Sequence, residues 1–155
     1  MLPTAYLTEK QLQIWSLRRN GVSLTEVGRH LGISRQAVYY TEKISNKKVE
    51  LALIHTADAN MIEPQYIDST NGLLLGFSPS TENRVIITFS TRNGLQTWHF
   101  EEKNCERCNW VERCRKRLIN EADERNILLT NENKKTPPSE LAHIIFSTLI
   151  PELEQ

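Results

Sequence analysis

Apolar residues recur at helical spacing through the first third of the chain, and polar capping residues divide them into three segments. The first predicted helix covers Thr8 to Arg19, because Thr8 opens a capping-box pattern and Asn20-Gly21 supplies a stop. A second capping box begins the next helix, Ser23 to Leu31, and Ser34 caps a third. We expect Trp15 on the buried face of the first helix.

The spacing around Gly32 indicates how the second and third helices pack. Gly28 lies four residues earlier, at the point where two crossing helix backbones would touch and a larger side chain would separate them. The neighbouring apolar residues occupy the inward positions of a helix-turn-helix, namely Val27, Leu31, Ile33 and Val38. The pattern therefore predicts a helix-turn-helix in preference to an unspecialised helical hairpin.

The outward face of the third helix carries the groups that read base edges and phosphates in a major groove. It offers a guanidinium, an amide, two phenols and an ammonium, from Ser34, Arg35, Gln36, Tyr39, Tyr40 and Lys43. Alternatively, the Tyr39 ring packs against the first helix. Arg18 and Arg19, at the end of that helix, are expected either in solvent or on phosphates.

The segment LTEKQLQIWSLRRNGVSLTEVGRHLGISRQAVYYTEK resembles the helix-turn-helix of the archaeal Tfx family, which is similar to region 4 of sigma factors and to LuxR-type response-regulator domains. The shared features are an opening Leu-Thr-x-x-Gln, a Gly-x-Ser-x-x-Glu-Val start, Leu-Gly-Ile-Ser and a Glu-Lys end. The resemblance covers about residues 5–57 and implies a sequence-specific transcription regulator. It also implies a recognition face made of Arg35, Gln36, Tyr39, Tyr40 and Lys43. The rest of the chain departs from that family, so neither target genes nor effector carry over.

Helical spacing continues from Glu42 to Ala59, either as a fourth helix or as an extension of the third. Its apolar stripe could pair two copies of the chain, which would give two-fold half-sites on double-stranded DNA. The stripe could equally pack on the second half of the chain. We divide the chain into a helix-turn-helix domain, residues 1–57, and an α+β sensor or interaction domain, residues 58–155.

The hydrophobic pattern of the second half predicts a small antiparallel sheet covered by helices, so the predicted fold class is α+β. Asn60–Asp68, with a proline, reads as a linker. Three strands are predicted at residues 73–77, 84–90 and 95–100, the last two joined by a type I′ turn at Asn93-Gly94. Two helices, at about 110–126 and 136–149, would cover one face. Glu121, Asp123 and Glu124 are expected to be solvated, with helical pairing to Arg117 and Arg125.

All three cysteines fall within ten residues, at Cys105, Cys108 and Cys114. A Cys-x2-Cys pair forms a knuckle whose thiolates converge on one ion, and Cys114 would approach from the following helix. His99, at the end of a strand, is the candidate fourth ligand, although strand alternation could direct it to solvent. Unliganded structural thiols are the alternative.

Two metal groups fit this cysteine pattern. Zn2+ needs one further ligand and is favoured. The spacing also resembles the cysteine runs of [4Fe–4S] proteins such as the fumarate-and-nitrate-reduction regulator and the Cas4-type nucleases, which take a fourth cysteine from elsewhere. This chain has three cysteines in all. A cluster would make the protein an oxygen- or redox-responsive regulator.

Composition and charge limit the remaining functions of this 155-residue chain. The formal net charge is zero, but residues 1–57 carry 8 Lys and Arg against 4 Asp and Glu. A basic N-terminal third suggests a module that faces nucleic acid.

No apolar run is long enough for a membrane span and no signal peptide is visible, so we expect a cytoplasmic protein. The alternatives are a dithiol redox protein using Cys105 and Cys108, or a protein-binding adaptor. No catalytic motif stands out, so an enzyme is not expected.

Overall fold

The computed structural model describes residues 6–100 and 104–154, and it confirms the α+β class. Helices and strands follow one another along the chain as α1 (Glu9–Arg19), α2 (Leu24–Leu31), α3 (Arg35–Ala59), β1 (Glu63–Asp68), β2 (Leu73–Ser78), β3 (Asn83–Ser90), β4 (Gly94–His99), α4 (Val111–Glu124) and α5 (Pro138–Leu149). Short 3-10 turns lie at Cys105–Arg107, Asn133–Lys135 and Pro151–Glu154. Within the described residues, none of the helices has the length and apolar character that crossing a membrane requires.

The helix starts predicted from capping residues are confirmed. Thr8 and Gln11 form a reciprocal capping box on α1, and the Ser23 and Ser34 hydroxyls accept hydrogen bonds from backbone amides in the first turns of α2 and α3. Gly32 ends α2 in the left-handed conformation, with φ of 67°. Each of these signals acts within four residues, so the sequence alone is sufficient to place them.

Helices α1, α2 and α3 share a small core at the N-terminal end of the structure. Ile14, Val27 and Val38 are fully buried there, with Leu31 and Ile33 packed around them. Gly28 lies where α2 meets the start of α3, and a Cβ added to it would stand 2.7 Å from the carbonyl oxygen of Ile33. The close approach expected at this glycine is therefore present.

We expect Gly28→Ala to lower the free energy of unfolding by about 1–3 kcal/mol, because the added methyl meets backbone that cannot rotate away. Urea denaturation followed by circular dichroism measures the change. The matched control is Thr25→Ala, an exposed position in the same helix, which should change stability by less than about 0.5 kcal/mol. An unchanged or higher stability for Gly28→Ala would contradict the close approach.

Helix α3 is one continuous helix of 25 residues, so the segment after Glu42 extends the third helix and is not a fourth. The second half of α3 buries its apolar stripe against the sheet of the same chain, through Val49, Ala52, Leu53 and Ala57. The division proposed at residue 57 falls within the last turn of α3. The N-terminal helices and the sheet are thus joined by an uninterrupted helix and a shared core.

The sheet has four antiparallel strands in the order β1-β2-β3-β4. The prediction of a linker at Asn60–Asp68 is wrong, because Glu63–Asp68 forms the edge strand β1. A bulge follows Pro64, and an edge strand tolerates a residue that cannot donate a backbone hydrogen bond. Because proline is uncommon within strands, the sequence pattern did not predict this one.

The turn between β3 and β4 also differs from the prediction. Ser90 pairs with Gly94, so the loop has three residues, and Gly94 alone of the Asn-Gly pair has a positive φ, of 69°. Such a loop ends in a left-handed glycine, whereas a type I′ turn needs two left-handed residues. The Asn93 side chain instead donates to the carbonyl oxygen of Arg117 and to the carboxylate of Glu121.

Helices cover both faces of the sheet, so the architecture has three layers. One face packs on α1 and α3 through residues that include Trp15, Leu74, Ile87 and Phe89. The other packs on α4 and α5 through residues that include Leu73, Leu75, Ile86, Leu118 and Phe146. Because both faces are covered, β2 is an unbroken apolar run instead of an alternating one.

Candidate nucleic-acid interface and cysteine cavity

The first half of α3 presents an exposed polar edge beside the buried core of the N-terminal helices. All six predicted contact residues are exposed, namely Ser34, Arg35, Gln36, Tyr39, Tyr40 and Lys43. Tyr39 is 46% and Tyr40 54% exposed, so the Tyr39 ring is not buried against α1. Val27 and Val38, directly beneath, are fully buried. We call the six exposed residues the α3 edge.

The polar groups of the α3 edge are available to a ligand. Within the described residues, the side chains of Arg35 and Gln36 make no hydrogen bond or ion pair. They line a groove of about 540 Å³ together with Leu24 and Tyr39. Both polar groups can therefore be reached from solvent.

The electrostatics of the α3 edge favour an anion. Lys43 lies with its Nζ atom 5.9 Å from the centre of the Tyr39 ring. Glu42 is the one carboxylate between residues 34 and 48 of the sequence, and it turns away to form an ion pair with Arg18 at 3.0 Å. The arginine thereby neutralises the nearest acid, and the exposed charge that remains on the edge is positive.

Arg18 is half-buried and the Arg19 side chain is buried, and each forms an ion pair within the chain. Arg18 donates to Glu42 and to the carbonyl oxygen of Val22, inside the N-terminal helices. The Arg19 side chain is 3% exposed, stacks 4.6 Å from the centre of the Trp15 ring and approaches Glu124 at 3.4 Å. Trp15 is in the core, as predicted. The two arginines have structural roles that their helical spacing alone did not indicate.

The prediction that Glu121 and Glu124 are solvated is wrong. Both are buried, and Glu121 forms an ion pair with Arg125, whose side chain is 1% exposed. Glu121 also accepts a hydrogen bond from Thr88 at 2.9 Å. The predicted helical pairing of Glu121 with Arg125 is therefore correct, but it occurs inside the protein. Asp123 remains exposed and pairs with Arg92.

This buried charge cluster joins the N-terminal helices to the sheet and to α4. Glu124 accepts hydrogen bonds from the backbone amides of Thr91 and Arg92 and holds Arg19 of α1. Arg125 donates to backbone carbonyls at both neighbouring strand ends. Burial, and then the charge of Arg125, lower the pKa of Arg19, while Glu124 opposes that shift. Two carboxylates thus balance two guanidiniums in a site that water barely reaches.

The three cysteines line one open cavity of about 360 Å³ at the end of the sheet. Cys105 and Cys108 bracket a 3-10 turn, and Cys114 lies in α4, beginning its second turn. The Cys108 sulfur accepts a hydrogen bond from the amide of Trp110 at 3.4 Å, and the Cys105 sulfur lies 3.7 Å from the Ser139 hydroxyl. The knuckle predicted from the Cys-x2-Cys spacing thus has one amide directed at a sulfur.

His99 is exposed and is one of the residues that line the same cavity. Trp98 and Phe100 both face α5, with ring contacts to Phe146 and His143. Among residues 6–100 and 104–154, no three His, Cys, Asp or Glu side chains are arranged as a metal-binding group.

No family model, curated protein or solved structure matches this chain.

Proposed function

We propose that this protein is a sequence-specific DNA-binding transcription regulator whose α3 edge enters the major groove of double-stranded DNA. The observation that carries the proposal is the unpaired, exposed pair Arg35 and Gln36 directly above fully buried Val27 and Val38. In this proposal α2 and α3 form a helix-turn-helix, and the first half of α3 is its recognition helix.

Each group on the α3 edge has a distinct task in the proposed complex. Arg35 presents a fork that matches the N7 and O6 atoms of guanine, and Gln36 presents an amide that matches adenine. Ser34 and Lys43 lie at the two ends of the edge, where a major-groove helix meets the phosphates. Tyr39 and Tyr40 supply apolar ring surface and a hydroxyl, with ring centres 5.5 Å apart.

A homodimer is part of the proposal. Ile44 and Leu51 are 51% and 40% exposed on the outer face of α3, beyond the recognition residues. A second copy covering them would place two recognition helices on one duplex, as in two-fold operators. We assign the regulator to the cytoplasm, where thiols stay reduced, and we assign it no catalytic activity.

The cysteine cavity is the proposed metal centre of this regulator. The donor set consists of soft thiolates, with one amide already directed at the Cys108 sulfur. Zn2+ fits if a fourth ligand joins Cys105, Cys108 and Cys114, and His99, which lines the same cavity, is the candidate for that ligand. A [4Fe–4S] cluster is the alternative, and it would need His99 or a non-protein group as its fourth ligand because the chain has three cysteines.

Selection of bound sequences from a random duplex pool tests the proposed function. The selected pool should converge on a motif, and a mobility-shift assay at a stated salt concentration should show at least about 10³-fold preference for it over bulk DNA. A pool that stays random, or binding that depends only on salt, would overturn the proposal and leave the adaptor as the better account.

A further inference from the structure

The outer face of α4 begins with an exposed indole beside two exposed cations. Trp110 is 52% exposed at the start of α4, and Arg113 and Lys116 follow it at intervals of three residues. Residues three apart are neighbours on a helix surface, so the three side chains share one face. The opposite face of α4 buries Leu118 and Ala122 against the sheet. We call Trp110, Arg113 and Lys116 the α4 face.

The charge of the α4 face differs from that of the acidic half of the chain around it. Residues 58–155 carry 11 Lys and Arg against 15 Asp and Glu, yet residues 104–117 hold five of those cations against two acids. One of the two acids, Glu112, forms an ion pair with Arg115. The two cations of the α4 face form no ion pair with any residue that the structure describes. This surface therefore offers a partner positive charge.

The indole of Trp110 is held beside one of these cations. The guanidinium carbon of Arg113 lies 4.7 Å from the centre of the Trp110 ring, which is a cation–π contact. The contact orients the ring while about half of the side chain stays open to solvent. The α4 face therefore combines an oriented aromatic surface with positive charge next to it.

We propose that the α4 face binds single-stranded nucleic acid, with an unpaired base stacked on Trp110 and neighbouring phosphates on Arg113 and Lys116. Aromatic rings beside cations hold single strands in this way with little sequence preference. In a duplex the bases stack on one another and are not open to an indole on a helix surface. An acidic protein would be attracted by the two cations but would have no flat base to place on the ring.

Further exposed cations flank the α4 face. Arg107 is exposed in the 3-10 turn that precedes α4. Arg115 donates to the carbonyl oxygen of Thr136 at 3.4 Å, which brings the segment containing exposed Lys134 and Lys135 next to this end of α4. These three cations are the expected partners of phosphates farther along a bound strand.

The α4 face is separate from the α3 edge. Helix α3 packs on one face of the sheet and α4 packs on the other. Single-strand binding at α4 therefore goes beyond the proposed reading of duplex DNA by α3, and variants of the two surfaces can be measured independently.

Fluorescence anisotropy of labelled oligothymidine and oligouridine with the full chain tests the proposal. Trp110→Ala should weaken binding at least about 5-fold, because the stacking of a base is lost. The double variant Arg113→Gln and Lys116→Gln should make the plot of log affinity against log salt shallower by about 1.4, since each phosphate contact on a single strand contributes about 0.7. Lys10→Gln removes an exposed cation of α1 and is the matched control, with wild-type binding expected.

Tryptophan fluorescence separates stacking from simple charge attraction. Stacking of a base quenches an indole, so oligothymidine should quench the wild type. Trp110→Phe keeps an aromatic ring and should bind the oligomer, but its remaining tryptophans should not be quenched. Circular dichroism of each variant verifies that it is folded.

Several results would overturn the single-strand site. Wild-type affinity in Trp110→Ala would do so, as would quenching that persists in Trp110→Phe. Displacement of the oligomer by random duplex, by polyglutamate or by anionic vesicles as effectively as by unlabelled oligothymidine would show a general anion surface instead. Tighter binding of one of the two oligomers supports the site and identifies the preferred sugar. A failed duplex selection with intact single-strand binding refutes the proposal for the α3 edge alone.

Discussion

Replacing both Arg35 and Gln36 with alanine is expected to abolish sequence preference in DNA binding. A bidentate contact to the correct base contributes about 1–3 kcal/mol of discrimination, so the loss of two such contacts should weaken binding to the selected sequence roughly 100-fold or more. Both side chains are exposed, and within the described residues neither makes a hydrogen bond. Their removal should therefore leave the free energy of unfolding unchanged. Fluorescence anisotropy at fixed salt measures the affinity for selected and for random duplexes.

Arg35→Lys is the matched control for the charge of this contact. Lysine keeps the positive charge but cannot present the planar fork that matches guanine. Binding to random DNA should therefore remain close to wild type, while the preference for the selected sequence falls. Equal losses on selected and random DNA for Arg35→Lys would show that Arg35 only contacts phosphate, and wild-type binding by the double alanine variant would exclude the α3 edge.

Removal of Glu121 is expected to produce the largest loss of stability in the chain. Glu121 is fully buried, and its carboxylate neutralises the Arg125 guanidinium, whose side chain is 1% exposed. Glu121→Ala leaves that cation buried without its carboxylate and removes the acceptor for Thr88. Breaking one side of a buried ion pair costs about 3–5 kcal/mol, so urea denaturation should show a loss of that size.

Glu112→Ala provides the comparison within the same helix. Glu112 pairs with Arg115 on α4, but its side chain is 79% exposed. An exposed ion pair of this kind contributes about 1 kcal/mol or less, so this variant should differ little from wild type. Similar losses of stability for the two variants would contradict the view that burial makes the Glu121–Arg125 pair the decisive one.

Much of the N-terminal structure could be predicted because its signals are local. Capping residues such as Thr8 and Ser23 act within four residues, and the turn at Gly32 depends on one left-handed glycine. The exposure of Arg35 and Gln36 followed from their helical spacing relative to Val38. These features do not depend on what the rest of the chain does.

The features that sequence reasoning missed depend on long-range packing. Strand β1 contains a proline and few apolar residues, and it exists because β2 offers it a partner. Glu121 and Glu124 have the spacing of an ordinary charged helix face. They are buried because two distant parts of the chain pack on α4. These parts are the turn between β3 and β4, and Arg19 of α1. The sequence pattern of α4 therefore could not predict that these two carboxylates are buried.

The cysteine cavity lies between these two cases. The spacing of the three cysteines predicts that they converge on one ion. They line one cavity, but among the described residues no three His, Cys, Asp or Glu side chains form a metal-binding group. The side of β4 on which His99 lies could not be predicted, because it is set by the register that pairs His99 with Val85. The same register places Trp98 against Phe146 of α5.

Methylation interference on the selected duplex tests the central claim most directly. Methyl groups at guanine N7 occupy the major groove and block a guanidinium that reads that atom. We predict that methylation at one guanine of each site blocks binding of the wild type, and that Arg35→Ala becomes insensitive to methylation at that same guanine. Unchanged binding of the wild type to fully methylated duplex, or interference patterns identical for both proteins, would contradict a major-groove contact by the α3 edge.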